Sequence, residues 1–141
     1  MADVKFNTFG KAIAKNDMDT VTIKAMFMDP SYTPNADTHV YVSDISASRA
    51  SGSTDLTIAG FTITADNTDN RTEFDITDLL TAAITLAGGT NGIVFYISTG
   101  VDATSELLTY NDILVGGVQT TVYPVGGTLT GTISANGIFS I

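Results

Sequence analysis

Thr20-Val21-Thr22-Ile23-Lys24-Ala25-Met26-Phe27-Met28 is the stretch on which the fold turns. It begins as a clean alternation of polar and apolar side chains. That is the signature of a half-buried strand, whose successive residues point to opposite faces of a sheet. Just before it the period is different. In residues 4–16, VKFNTFGKAIAKN, Phe6, Phe9 and Ile13, with Val4, fall on one face at i, i+3, i+7 spacing, and Lys5, Lys11 and Lys15 fall mostly on the other. This predicts the one convincing helix of the chain, weakened at Gly10 by about 1 kcal/mol relative to Ala and ended by Asn16-Asp17. A helix this short is marginal alone, so its two Phe rings are expected to pack on the sheet.

After the strand, Asp29-Pro30-Ser31-Tyr32-Thr33-Pro34-Asn35-Ala36-Asp37 holds two of the three prolines and reads as a loop. His39 to Ser43 reads as a short strand, Ser46 to Asp55 as a polar connector, and Leu56 to Thr64 as a strand with Gly60 as a bulge. Asp66 to Asn70 is a turn cluster and Phe74 to Thr77 is extended. Leu79 to Leu86 reads equally as a helical turn or a strand. Gly88-Gly89-Thr90-Asn91-Gly92 is a hairpin loop feeding the strongest strand, Ile93 to Ser98. Glu106–Tyr110 and Thr120–Tyr123 follow as strands, and 127–141 reads as two strands around Asn136-Gly137. Short strands with turn signals at this spacing predict an all-β fold: a jelly-roll or immunoglobulin-like β-sandwich of about eight antiparallel strands with one short N-terminal helix. The 141 residues suit a single domain, 1–16 helical and 17–141 sandwich, and the sandwich is expected to fold without residues 1–16.

Composition narrows the function. Fifteen acidic against six basic residues give a net charge of −9. That argues against a nucleic-acid partner, which needs Lys and Arg to displace counterions from phosphates, and against docking on anionic membrane lipid. Cysteine is absent, which removes disulfides, thiolate metal sites and thiol nucleophiles. The opening Met1-Ala2-Asp3-Val4-Lys5-Phe6 has no apolar core of a leader, and no apolar run nears the roughly 20 residues of a membrane helix. The expectation is a soluble protein made without a signal peptide. Charge is unevenly placed: Lys5, Lys11, Lys15 and Lys24 crowd the start, and no charged side chain follows Asp112. Free surface strands usually carry Lys or Glu to guard their edges. The charge-free C-terminal strands therefore either sit centrally in the sheet or are covered by another subunit.

Chemistry has little to build on. His39 is the only imidazole, and no G-x-S-x-G elbow accompanies it. Glu73 and Glu106 are the only glutamates available to a carboxylate pair. No catalytic residue, cofactor or metal ligand is expected, and the protein is read as non-enzymatic. Asp66, Asp69, Asn70, Glu73 and Asp75 gather oxygen ligands of the kind Ca²⁺ prefers, but without EF-hand spacing. Turn formation explains them better. His39 beside Asp37 and Asp44 reads as a strand residue. Gly88-Gly89, Gly116-Gly117 and Gly126-Gly127 lack the following Lys-Ser/Thr of a phosphate loop and read as hairpin glycines. Tyr32, Tyr41, Tyr110 and Tyr123 keep open an alternative, a sugar-stacking platform.

Four segments carry a resemblance: Phe6-Asn7-Thr8-Phe9-Gly10-Lys11-Ala12; Asp19-Thr20-Val21-Thr22-Ile23-Lys24-Ala25; Ser31-Tyr32-Thr33-Pro34-Asn35-Ala36-Asp37 with His39-Val40-Tyr41-Val42-Ser43-Asp44-Ile45; and Asn136-Gly137-Ile138-Phe139-Ser140-Ile141. In their order the chain resembles a family of small structural proteins from bacteriophage and prophage morphogenesis clusters. The resemblance implies a virion component made in the bacterial cytoplasm. Its first implied role is a capsid decoration (cement) protein on the capsid surface, with the major capsid protein and its own copies (a dimer or trimer) as partners. A tail or neck component and a carbohydrate-binding module on the virion are the alternatives. Lys5, Phe6, Phe9, Lys11 and Lys15 are the candidates for contact with an acidic capsid surface. Val122, Tyr123, Leu129, Ile133, Ile138 and Phe139 are the candidates for subunit contact.

Overall fold

The strand that holds Ile23 to Met28 is buried on both faces from Ala25 onward. In the computed structural model, which describes residues 3–18, 20–59, 61–76, 79–81, 83–131 and 139–140, it runs from Thr22 to Met28. In chain order the elements are β1 (Val4–Lys5), α1 (Thr8–Lys15), β2 (Thr22–Met28), α2 (Val42–Ile45), β3 (Leu56–Thr57), β4 (Thr62–Asp66), β5 (Arg71–Asp75), β6 (Leu79–Leu80) and β7 (Ile84–Thr85). There follow β8 (Gly92–Ser98), β9 (Leu107–Asp112), β10 (Leu114–Val115), β11 (Val118–Gln119), β12 (Val125–Gly127), β13 (Thr130–Gly131) and β14 (Phe139–Ser140). The fold is all-β with a small helical component, and among the described residues every strand pair is antiparallel.

A five-stranded sheet in the order β1-β9-β8-β2-β3 forms the centre, with a three-stranded sheet β14-β5-β4 beside it. Ile23 and Ala25 of β2, Phe95 and Ile97 of β8 and Leu108 of β9 make one face of the large sheet. That face packs with Phe9 and Ala12 of α1, with Phe74 of β5 and with Ile76 just after it. Met26, Met28, Val94, Tyr96, Leu107 and Tyr110 make the opposite face. Phe6, Tyr32, Val42 and Ile45 cover it. From Ala25 onward both faces of β2 thus meet apolar surroundings, which is why the run loses its polar residues after Lys24. A bulge opposite Phe95 and Tyr96 leaves Leu108 as the extra residue of β9, letting Leu107 and Tyr110 share a face while Leu108 turns to the other.

Several expectations are corrected. Val4 and Lys5 are a strand, paired with Tyr110 and Thr109, and the helix starts only at Thr8. The Phe6 N–H donates to the Leu108 carbonyl at 3.0 Å, which holds the chain extended until Asn7. Phe6 and Phe9 consequently enter opposite faces of the large sheet, and residues 4–16 are part of the core, not a removable segment. His39 to Ser43 is not a strand. Tyr41 makes one bridge to Glu106, and the chain then turns into α2 because the Asp44 carboxylate accepts the N–H groups of Val40 and Tyr41, both at 2.9 Å. The span Leu56–Thr64 divides: β3 joins the large sheet and β4 the small one, and Gly60 lies outside the described residues. Leu79 to Leu86 forms two short strands, β6 and β7. Thr120 to Tyr123 contributes one bridge, Thr90 to Val122. At the C-terminus β13 pairs with β6 and β14 with β5, and Asn136-Gly137 lies outside the described residues.

Candidate functional site

The proposed capsid-contact residues separate into two groups. Phe6 and Phe9 are 1% and 6% exposed, so they face the core and are withdrawn from any contact surface. Lys5, Lys11 and Lys15 are at the surface. Lys5 Nζ stands 5.7 Å over the Phe9 ring centroid, and the ammonium groups of Lys11 and Lys15 lie 3.7 and 3.0 Å from Glu106 Oε1. The Glu106 side chain is only 5% exposed. A carboxylate taken out of water needs a cation or hydrogen bonds. Lys15 and Lys11, one turn apart on α1, supply the cations and so fasten the helix over β9. Glu106 is 91 positions from Lys15, and nothing in the local pattern of α1 announces it.

The acidic turn is organised around Arg71. Its guanidinium lies 3.4 Å from Asp66 Oδ2, 3.3 Å from Asp69 Oδ2 and 2.7 Å from Glu73 Oε1. Asp66 Oδ1 accepts the N–H groups of Thr68 and Asp69, and Asn70 takes a positive φ of 53° at the tip. Asp75 turns away to accept the Ile76 N–H. A cation already stands among the carboxylates that a Ca²⁺ ion would need. His39 is likewise committed within its loop. Its Nδ1 accepts the Asn35 N–H at 3.2 Å and lies 2.9 Å from the Tyr32 hydroxyl, with the two rings stacked at 5.6 Å.

A second polar knot joins Arg49, Asp55 and Tyr96. Arg49 grips the Asp55 carboxylate with two bonds of 2.8 and 2.9 Å, and the Tyr96 hydroxyl donates to the same carboxylate at 2.6 Å. The tyrosine row does not assemble as a stacking platform. Tyr32 and Tyr110 are buried in the core, Tyr41 is half-buried, and only Tyr123 stands well out from the surface.

At the C-terminal end the candidates fall apart in a different way. Val122 and Leu129 are half-buried, and Leu129 packs against the cluster of Phe27, Ala50 and Leu86. Tyr123 is exposed. Phe139 pairs through its backbone with Phe74, and Ile133 and Ile138 lie outside the described residues. The sequence reading missed Leu114, Val115, Val118 and Val125, which with Tyr123 are 57–80% exposed. Leu114, Val115 and Val118 sit on one hairpin, β10–β11, turned by Gly116 and Gly117 at φ of 61° and 82°. Positive φ at both central residues is the backbone of a type I′ turn, which matches the twist of the flanking strands. Gln119 Nε2 fastens the hairpin to the large sheet by donating to Asp112 Oδ1 at 2.8 Å. The signal for this surface was in the sequence, as the Gly-Gly pair inside the charge-free run.

Comparison with protein-family models, with curated proteins and with solved structures gives no match for this chain. Among the described residues no helix is long and apolar enough to cross a membrane.

Proposed function

We propose that this protein is a non-enzymatic bacteriophage virion component, a capsid decoration (cement) protein that binds the assembled shell of major capsid protein. The observation that carries this reading is the charge-free stretch after Asp112, which exposes Leu114, Val115, Val118, Tyr123 and Val125 on a chain of net charge −9. Large apolar side chains that gather in one place, as Leu114, Val115 and Val118 do on the β10–β11 hairpin, mark a surface meant for another protein. Binding the assembled shell and not its free subunits stabilises the shell by mass action, by about 2.7 kcal/mol per site at a free concentration 100 times Kd. The uncharged C-terminal surface meets a neighbouring copy on the shell. Lys5, Lys11 and Lys15 face an acidic patch of the capsid. A tail or neck position is the second reading, and it shares the same adhesive surface.

Cryo-electron microscopy of the particle that carries this chain tests the assignment. Density for the chain between capsomers on the outer shell supports cementing. Density in the neck or tail moves it to the second reading, and absence from the particle overturns both. Because residues 4–16 help to build the core, truncating them is no test of attachment. Lys5→Ala with Lys11→Ala leaves Lys15 in place to neutralise Glu106 and is expected to lower capsid occupancy, most visibly at low salt.

A further inference from the structure

β4 is the longest strand at a sheet margin, and among the described residues β5 is its only strand neighbour. The other margins are short: β1 and β3 have two residues each, and β1 ends in Lys5. From Thr62 to Ala65 β4 carries no charge, no Pro and no bulge, the devices that normally keep an edge from pairing with another chain. Its side chains Thr62, Ile63, Thr64 and Ala65 are exposed on both faces. Ile63 stands directly opposite Phe74, on the same face. Phe74 is buried against Phe9 and Phe61, whereas Ile63 is 39% exposed. The apolar face of the small sheet thus runs out into water at its last strand.

We propose that β4 pairs with β4 of a second copy of this chain, antiparallel and about a two-fold axis, joining two three-stranded sheets into one of six. An open backbone edge selects an extended strand as its partner; β4 of a second copy is such a strand, equally exposed and uncharged over residues 62–65, and the charge layout selects which way round it lies. Asp66 and Asp69 sit at one end of the hairpin. Parallel pairing of two copies sets these acidic ends side by side. Antiparallel pairing sends them to opposite ends and leaves the uncharged residues 62–65 at the centre. An exact two-fold places one residue opposite its own copy, and the length of β4 puts Ile63 or Thr64 there. Ile63 then gains the cover it lacks. The inference rests on the edge geometry and does not depend on the virion reading.

The chain has no cysteine, so single-cysteine variants report one position each. Cysteine is placed in turn at residues 62–66 of the full chain and oxidised. Directly opposed residues of an antiparallel pair have Cα atoms about 4.5–5.5 Å apart, within disulfide reach. Cross-linking is expected to peak at residue 63 or 64 and to fall sharply by residue 66. In parallel, sedimentation equilibrium over a concentration series is expected to give a dimer, weakened at least tenfold by Ile63→Lys and by Thr64→Lys with unchanged circular dichroism. Val118→Asp, on the C-terminal surface, is expected to leave this dimer intact. A monomer at every concentration overturns the proposal and leaves the edge to a foreign strand. So does a dimer that survives both lysines, a cross-linking yield flat across 62–66, or a dimer abolished by Val118→Asp.

Discussion

Gly92 shows how much a single atom decides in this core. A Cβ at that position falls within the ring of Tyr110, which lies across the start of β8 with only 1% of its surface exposed. Gly92→Ala therefore overpacks a site with no slack, and we expect a loss of about 3 kcal/mol, read as a lower denaturant midpoint with unchanged slope. Glu106 is decisive for a different reason. Glu106→Gln keeps the shape but removes the charge that Lys11 and Lys15 neutralise, at a cost of about 1–2 kcal/mol in the same assay. Tyr110 also sets an alkaline limit. Burial, with Asp112 close by, pushes it up to about 12, and burial raises Tyr32 and Tyr96 as well. The folded state thus holds these phenolic protons more tightly than the unfolded chain. Its contribution is complete below pH 10 and lost as pH climbs from there toward 12. Tyrosinate absorbance and far-ultraviolet circular dichroism should change together across that window; ionisation of these rings well before unfolding is the contrary result.

The elements differ in how plainly they could be read. β2 was legible from the alternation at its start and β8 as a short apolar run after a glycine-rich loop, and both signals need only local sequence. α1 was legible as a helix, but its start was not. Val4, Phe6 and Phe9 fit a helical face by spacing, yet the hydrogen bond from Phe6 to Leu108 pulls the first residues into the sheet. His39 to Ser43 alternates like a strand, and only the reach of Asp44 back to Val40 and Tyr41 diverts it into α2. Lys11 and Lys15 were rightly seen on the outer face of α1, while the carboxylate they serve lies far along the chain, just before β9. In β10–β11 the Gly-Gly turn was recognisable and its apolar flanks were overlooked. That hairpin offers a direct check of its turn type. Gly116→Asn suits a type I′ turn and restricts the unfolded chain, so it should stabilise by about 0.5 kcal/mol. A drop in the melting temperature would mean that the turn is of another type.

Taken whole, the molecule combines a sheet covered on both faces with a C-terminal region that leaves apolar side chains in water. The two parts should respond differently to substitution. Val118→Asp touches no buried cluster, so stability should stay within about 0.5 kcal/mol, while occupancy on the particle in a binding assay should fall steeply. Loss of fold instead would place Val118 in the core. The pairing of β1 with β9 carries a consequence for how the chain is made. Val4 faces Tyr110 and Lys5 faces Thr109, so the first strand of the large sheet to be made waits for its last. β2 must likewise wait for β8, with Phe27 opposite Ile93 and Met28 opposite Gly92. Such distant partners make for slow folding and a long interval in which apolar strands stand open to aggregation. A chain interrupted before β9 holds strands with no mates, and production of this protein should depend on finishing synthesis quickly and on chaperones that shield β2 until β8 arrives.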